Sequence, residues 1–147
     1  MPVSFHGKIC EAVRDKVQKL DLDGLKTVEL QKIIRHREDD KLPACYISHE
    51  GIETITTATN ESNDVGYPVI VALVVAENQD LEYEDQPLLW RKQIRDAFHE
   101  KPMPLADGRV WQCLWEPLAI IDPTAFDQNL FVSAMTIRAI AREVRPR

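Results

Sequence analysis

The sequence predicts an α+β domain, a two-layer sandwich in which a mostly antiparallel sheet carries two helices on one face. Residues 69–76 form an apolar run rich in Val and Ile, which favours a strand covered on both faces or lying at a protomer interface. Residues 4–20 and 88–99 each repeat apolar side chains every three or four positions, as one helical face requires. The predicted order is helix, strand, strand, long arm, strand, helix, strand, strand.

The first helix is followed by two predicted strands. Ser4 has the side chain of an N-cap, and residues 21–24 contain the Asp and Gly that are typical of a helix end. Residues 27–37 alternate imperfectly between apolar and polar side chains, and residues 43–48 form a shorter segment of the same kind. Pro43 fits the first position of a strand, where a missing amide donor matters least.

A long arm is predicted over residues 51–66. Thr and Ile in its first half favour an extended ribbon, and the polar residues 60–64 favour a turn or tip. Arms of this kind often reach a partner instead of their own core, although a surface loop fits the same residues equally well. In the first of these two interpretations, Ile55 and Thr57 are candidate interface residues.

The second helix is expected to bury one face. Trp90, Ile94, Ala97 and Phe98 follow the i, i+4, i+7, i+8 spacing of a helical stripe. The two prolines within residues 101–104 end this helix, because proline disrupts the helical hydrogen-bond pattern.

Two strands are predicted to close the domain. Residues 110–116 alternate so that Trp111 and Trp115 share one strand face, and core packing is favoured there over an interface or a ligand-stacking platform. Pro117 is expected to break this strand, which residues 118–121 continue beyond a bulge. Residues 130–142 fit a strand or a helix; we prefer a strand, because the strand before it needs a neighbour.

Size and composition indicate one globular domain spanning residues 1–147. The hydrophobic content of 44% and the charged content of 29% are ordinary for such a domain. A net charge of −6 argues against wrapping nucleic acid on a broad basic face. The sequence contains neither a signal peptide nor an apolar run of the roughly 20 residues that cross a bilayer, so we expect a cytosolic product without a membrane partner.

The charges are unevenly distributed. Residues 77–85 carry acids and no base, whereas the residues from 138 onward are rich in arginine. Either both stretches are solvated surface, or they meet between neighbouring copies of the chain. In the second hypothesis Arg138 and Arg142 of one copy pair with acids of the next. The candidate interface residues are therefore Arg138, Arg142, Asp80, Glu82, Glu84, Asp85, Ile55 and Thr57.

No catalytic, cofactor-binding or metal-binding motif is found, so we expect no enzyme and no cofactor. The cysteines are odd in number and widely separated, which is typical of buried, reduced thiols. The histidines fall in separate predicted elements, where solvent-facing or helix-capping roles are favoured, and the few glycines form no nucleotide-binding loop. The residues concerned are Cys10, Cys45 and Cys113, and His6, His36, His49 and His99.

The order and spacing of these elements resemble the tail terminator proteins of long-tailed bacteriophages, which are head–tail joining proteins. The resemblance is one of architecture over nearly the whole chain, and it carries no diagnostic motif. It rests on the helices at 5–20 and 88–99, the arm at 51–66, and the strands at 27–37, 43–48, 69–76, 110–116 and 131–142.

This resemblance implies a structural virion protein that forms a homohexameric ring. The ring would cap the tail tube and join it to the head, with tube and connector or stopper proteins as partners and DNA passing through the lumen. The implied location is the virion, after assembly in the host cytoplasm. An acidic chain suits such a lumen, because phosphates are repelled there. Other neck or tube components, a monomeric protein-binding module using the arm, and an enzyme whose site forms between subunits are the alternatives.

Overall fold

The computed structural model describes residues 4–31, 41–76, 86–105, 109–118 and 130–145, which contain two helices and a mixed, open six-stranded sheet. This is an α+β fold. The elements are α1 (Phe5–Leu20), β1 (Thr27–Leu30), β2 (Ala44–Ser48), β3 (Thr54–Thr57), β4 (Ser62–Ala76), α2 (Gln86–Phe98), β5 (Val110–Leu118) and β6 (Leu130–Val144).

The sheet is organised around β4. Its strand order is β1-β2-β4-β6-β5, and β3 pairs with β4 in addition. β4 and β6 are paired along their whole length, from Ser62 opposite Val144 to Ala76 opposite Leu130. On the other edge of β4, β3 pairs with its first residues and β2 with its later ones. β4 therefore pairs directly with β2, β3 and β6, and only β1 and β5 are not its neighbours.

The main core lies against alternate residues of the central strands. Val69, Val71 and Leu73 of β4 are buried in one cluster with apolar side chains of both helices. The residues that alternate with them, such as Ala72 and Val74, face the opposite way, and Val74 belongs to a second, smaller buried cluster. The apolar run of the sequence is thus buried on both faces, as predicted.

α1 begins and ends where local chemistry indicates. The Ser4 hydroxyl accepts a hydrogen bond from the Gly7 amide at 3.0 Å, and Asp21 adopts a left-handed conformation with φ of 48° at the end of α1. At the start of α2, Gln86 and Trp90 both donate to the Asp23 carbonyl, at 2.7 and 3.0 Å. These two bonds join the end of α1 to the start of α2.

Several predictions about the strands are wrong in detail. β1 pairs with β2 in parallel, whereas consecutive antiparallel strands were expected. The predicted first strand is seen as Thr27–Leu30, and residues 32–37 of that prediction lie outside the described residues. The predicted turn at residues 60–64 is too long, since β4 already begins at Ser62. The ambiguous C-terminal segment is a strand.

Two prolines lie inside strands. Pro68 falls within β4, at the point where β3 has ended and β2 has not yet begun, so one edge of the strand has no described partner there. Pro117 does not end β5, which continues to Leu118; β5 is the last strand of the sheet, where proline is tolerated.

A bulge was predicted at Pro117, but the irregularity in β5 occurs at Trp111. The register shifts between Val110 and Gln112, which places Val110 and Cys113 in the same core. Trp115 packs against that core, whereas Trp111 is 47% exposed. The two tryptophans therefore do not share a face.

The buried face of α2 provides a test of the fold. Ile94 and Phe98 are fully buried, so we expect Ile94→Ala and Phe98→Ala each to lower the free energy of unfolding by about 2–5 kcal/mol. Gln93→Ala, on the exposed side of the same helix turn, should change it by no more than about 0.5 kcal/mol. Urea denaturation measures all three, and an Ile94→Ala variant as stable as the parent protein would contradict the packing.

Candidate interaction surface

The arm is a β-hairpin formed by β3 and the start of β4, and the other edge of that part of β4 pairs with β6. β3 pairs antiparallel with the start of β4, with Thr54 opposite Gly66 and Thr57 opposite Asn63. All four residues of β3 are exposed, and no described strand pairs with its outer edge. Ile52 and Ile55 are 81% and 69% exposed. We call Ile52, Ile55, Thr57 and this free edge the arm surface.

Arg138 of β6 connects the arm to β5. Its Nε and Nη2 donate to the two carboxylate oxygens of Glu116, at 3.0 and 3.3 Å, and its Nη1 donates to the Ile52 carbonyl at 2.7 Å. Only 15% of the Arg138 side chain is exposed. One guanidinium therefore bonds both to β5 and to the residue that leads into β3, which connects the arm to the opposite edge of the sheet.

Gly66 leaves the space that this arrangement needs. A Cβ at position 66 would approach Arg138 Cδ to 2.8 Å and would also collide with the Thr54 hydroxyl. Glycine at position 66 therefore leaves room for both the Thr54 hydroxyl and the Arg138 side chain next to the backbone of β4.

A second arginine pairs across β4 and β6. Arg142 donates from Nε and Nη2 to the two oxygens of Asp64, at 3.1 and 3.2 Å, and its guanidinium lies 5.9 Å from the centre of the Trp111 ring. The hydrogen bond from Arg142, together with its positive charge and a hydrogen bond from Trp111, lowers the pKa of Asp64 below its ordinary value. The displaced Trp111 thus belongs to this surface pair.

The tip of the arm is held by Arg145. Its guanidinium donates to the carbonyls of Thr59 and Asn60, at 2.6 and 3.1 Å, and to the side-chain oxygen of Asn63 at 2.9 Å. Its backbone amide donates to the Glu61 carbonyl at 2.7 Å. Two arginines of β6, Arg138 and Arg142, and Arg145 just after it therefore bond to the arm along its length.

Four of the eight predicted interface residues are brought together here. Ile55 and Thr57 lie on β3, and Arg138 and Arg142 donate hydrogen bonds to residues of the arm, the Ile52 carbonyl and Asp64. The other four, Asp80, Glu82, Glu84 and Asp85, lie outside the described residues. Both arginines have carboxylate partners within the chain, Glu116 and Asp64. Their pairing with acids of a neighbouring copy stays a prediction.

A polar cluster adjoins the base of the arm. His6 Nε2 lies 2.6 Å from the Pro68 carbonyl, and its Nδ1 lies 3.7 Å from Glu53. The ring of His49 lies 5.9 Å from that of His6, so the fold joins two histidines that are distant in sequence. Tyr67 donates to Glu143, and burial, followed by that hydrogen bond, raises the pKa of the phenol.

The remaining histidine of the described residues, His99, directly follows the end of α2 and is exposed. His99 Nδ1 accepts a hydrogen bond from the Trp115 amide at 3.0 Å, which joins the end of α2 to β5. His36 lies outside the described residues.

The described residues contain no group of three or more side chains able to hold a metal ion. The three thiols are buried and unpaired, as predicted. Burial raises the pKa of Cys10 and of Cys113 to about 11 and that of Cys45 to about 12. At neutral pH the thiols are therefore protonated, which leaves them poor nucleophiles and poor metal ligands.

Comparison with protein-family models and with curated proteins gives no match for this chain. Among its described helices, none is long and apolar enough to cross a membrane.

The role of Arg138 can be tested by local hydrogen exchange. Lysine keeps the charge but lacks the fork that reaches both Glu116 and the Ile52 carbonyl. We expect Arg138→Lys to speed exchange of the β3 amides that bond to β4 by roughly tenfold or more, since charge-assisted hydrogen bonds contribute about 1.5–3 kcal/mol. Arg14→Lys, on α1, is the control. Unchanged exchange in Arg138→Lys would show that this contact does not hold the arm.

The Asp64–Arg142 pair predicts a pH dependence. A carboxyl group whose pKa is lower in the folded than in the unfolded chain stabilises the fold above its unfolded pKa of about 3.9, and that contribution is lost as the pH falls through the folded pKa. Between about pH 5 and pH 2, Asp64→Asn should therefore lose less stability than the parent protein. Glu61→Gln, at the exposed arm tip, is the control. Parallel stability curves for parent and Asp64→Asn would contradict the assignment.

Proposed function

We propose that this protein is a structural virion protein that assembles into a ring, similar to the tail terminators of long-tailed phages. The observation that carries the proposal is the arm surface. Its two isoleucines are largely exposed, and its strand has a free edge within the described residues. Exposed apolar side chains beside an unpaired strand edge can form a contact with another protein.

The arm is suited to a contact because hydrogen bonds within the chain hold it in place. Arg138, Arg142 and Arg145 hold its base, middle and tip. Binding then costs less conformational entropy than it would for a flexible loop. An arm that contacts a different surface of the next copy produces a head-to-tail interface, which closes into a ring when the rotation between copies allows it.

In this proposal the domain is a two-layer sandwich, with both helices on one face of the sheet and the arm extending beyond them. The ring is hexameric, caps the tail tube and joins it to a connector or stopper protein of the head. DNA passes through the lumen without sequence-specific contacts, because the net charge of −6 repels phosphates. The protein then acts in the virion without enzymatic activity or cofactors, after assembly in the host cytoplasm.

A monomeric binding module is the second candidate. The same exposed arm supports it, because a free strand edge beside apolar side chains can also take up an extended segment of another protein. The two candidates differ in the mass of the purified protein.

The proposal is tested by light scattering over a range of concentrations, with negative-stain images of the same fractions. We expect a hexameric ring whose proportion rises with concentration. A monomer at every concentration would contradict ring formation by this chain alone and favour the binding module.

A matched pair of variants tests the arm surface itself. Ile55→Asp places a charge on the arm, and Leu88→Asp places one on α2 at a residue with similar exposure, 65%. We expect Ile55→Asp to raise the concentration needed for assembly by roughly tenfold or more, because an interface must then bury an unpaired charge. Leu88→Asp should assemble like the parent protein. Assembly that is unaffected by Ile55→Asp would exclude the arm surface as the contact.

A further inference from the structure

A second surface lies away from the arm, between the helices. α1 and the end of α2 enclose a cavity of about 390 Å³, within the range of ligand- and peptide-binding pockets. Phe98, Met103 and Cys113 contribute its apolar part. The arm-based contact proposed above uses none of these residues.

Three lysines line this cavity: Lys16 and Lys19 from α1 and Lys101 after α2. Lys16 Nζ lies 4.9 Å from the centre of the Phe98 ring, so its charge is held over the apolar part. Within the described residues, no carboxylate lies within 4 Å of any of the three ammonium groups, and Asp15, the one lining acid, pairs with Arg14 at 3.2 Å. The cavity is therefore a positive site on a protein of net charge −6.

The chemistry of the cavity specifies its ligand. An apolar cavity with a lysine rim selects a segment in which carboxylates alternate with apolar side chains. The chain contains such a segment in residues 77–85, whose sequence Glu-Asn-Gln-Asp-Leu-Glu-Tyr-Glu-Asp places Leu81 and Tyr83 between acids. The arginines that were expected to receive these acids already bond to Glu116 and Asp64.

We propose that the lysine-lined cavity of one copy binds the acidic segment 77–85 of a second copy. This inference rests on the proposed ring, and it names a contact that the arm does not supply. The acidic segment directly precedes Gln86 at the start of α2, whereas Phe98 ends that helix, about 20 Å away. Because the binding segment and the receiving cavity are different parts of each copy, the contact is head-to-tail and can continue around a ring.

A charge exchange between two variants tests this contact. The pocket variant carries Lys16→Glu and Lys101→Glu, and the segment variant carries Glu82→Lys and Glu84→Lys. Each variant alone presents like charges to its own copies, so we expect assembly to weaken roughly tenfold or more in light scattering. An equimolar mixture of the two presents opposite charges at every contact, and we expect it to assemble like the parent protein.

Further controls separate this contact from a general effect of charge. Lys8→Glu with Lys26→Glu makes the same change in net charge on exposed residues that do not line the cavity, and it should assemble normally. Assembly of the parent protein should weaken as salt is raised, because the Debye length falls from about 10 Å at 0.1 M to about 3 Å at 1 M.

The outcomes distinguish this inference from the proposed function. If the parent protein forms rings and the pocket variant does so equally well, the inference is overturned while the ring stands. If the mixture of the two variants fails to assemble although the parent protein does, the inference is overturned as well.

A parent protein that stays monomeric is tested with a fluorescein-labelled peptide of sequence 77–85 by fluorescence anisotropy. Binding that is lost in the pocket variant, and with a peptide in which Leu81 and Tyr83 are serine, supports the cavity assignment while the ring proposal fails. The absence of peptide binding overturns both.

Discussion

The continuous pairing of β4 with β6 is the constraint on which the rest of the structure depends. Each strand has 15 residues and is therefore about 50 Å long, whereas α1, with 16 residues, spans only about 24 Å. α1 alone is therefore too short to cover the whole ladder. At the end of the ladder that pairs with β3, arginine side chains bond across the strands, Arg138 to the Ile52 carbonyl and Arg142 to Asp64.

Local patterns in the sequence predict most of the elements. The Ser4 cap and the apolar stripe of α2 depend on neighbours within a few residues, and both are found as expected. The register shift at Trp111 and the pairing of Arg138 with Glu116 have no such local signal, because they depend on how distant strands align. The candidate surface was therefore predicted in part: Ile55, Thr57, Arg138 and Arg142 were named, whereas Ile52, Arg145 and the bonds within the chain were not.

The two surfaces that we propose as contacts differ in physical character. The arm surface offers isoleucines and a strand edge, which favour contacts that persist at high salt. The cavity between the helices offers lysines around an apolar centre, which favour contacts that are selective but sensitive to salt. In a protein with both surfaces, charge complementarity would provide selectivity for the neighbouring copy, and buried apolar area would provide affinity.

Gly66 has a consequence for how related sequences can diverge. Its missing side chain leaves room for the Thr54 hydroxyl and for the Arg138 side chain together. A larger residue at 66 is compatible with this hairpin only if positions 54 and 138 become smaller or turn away. We therefore expect a homologue with a larger residue at 66 to carry compensating changes at 54 and 138, although these positions are far apart along the chain.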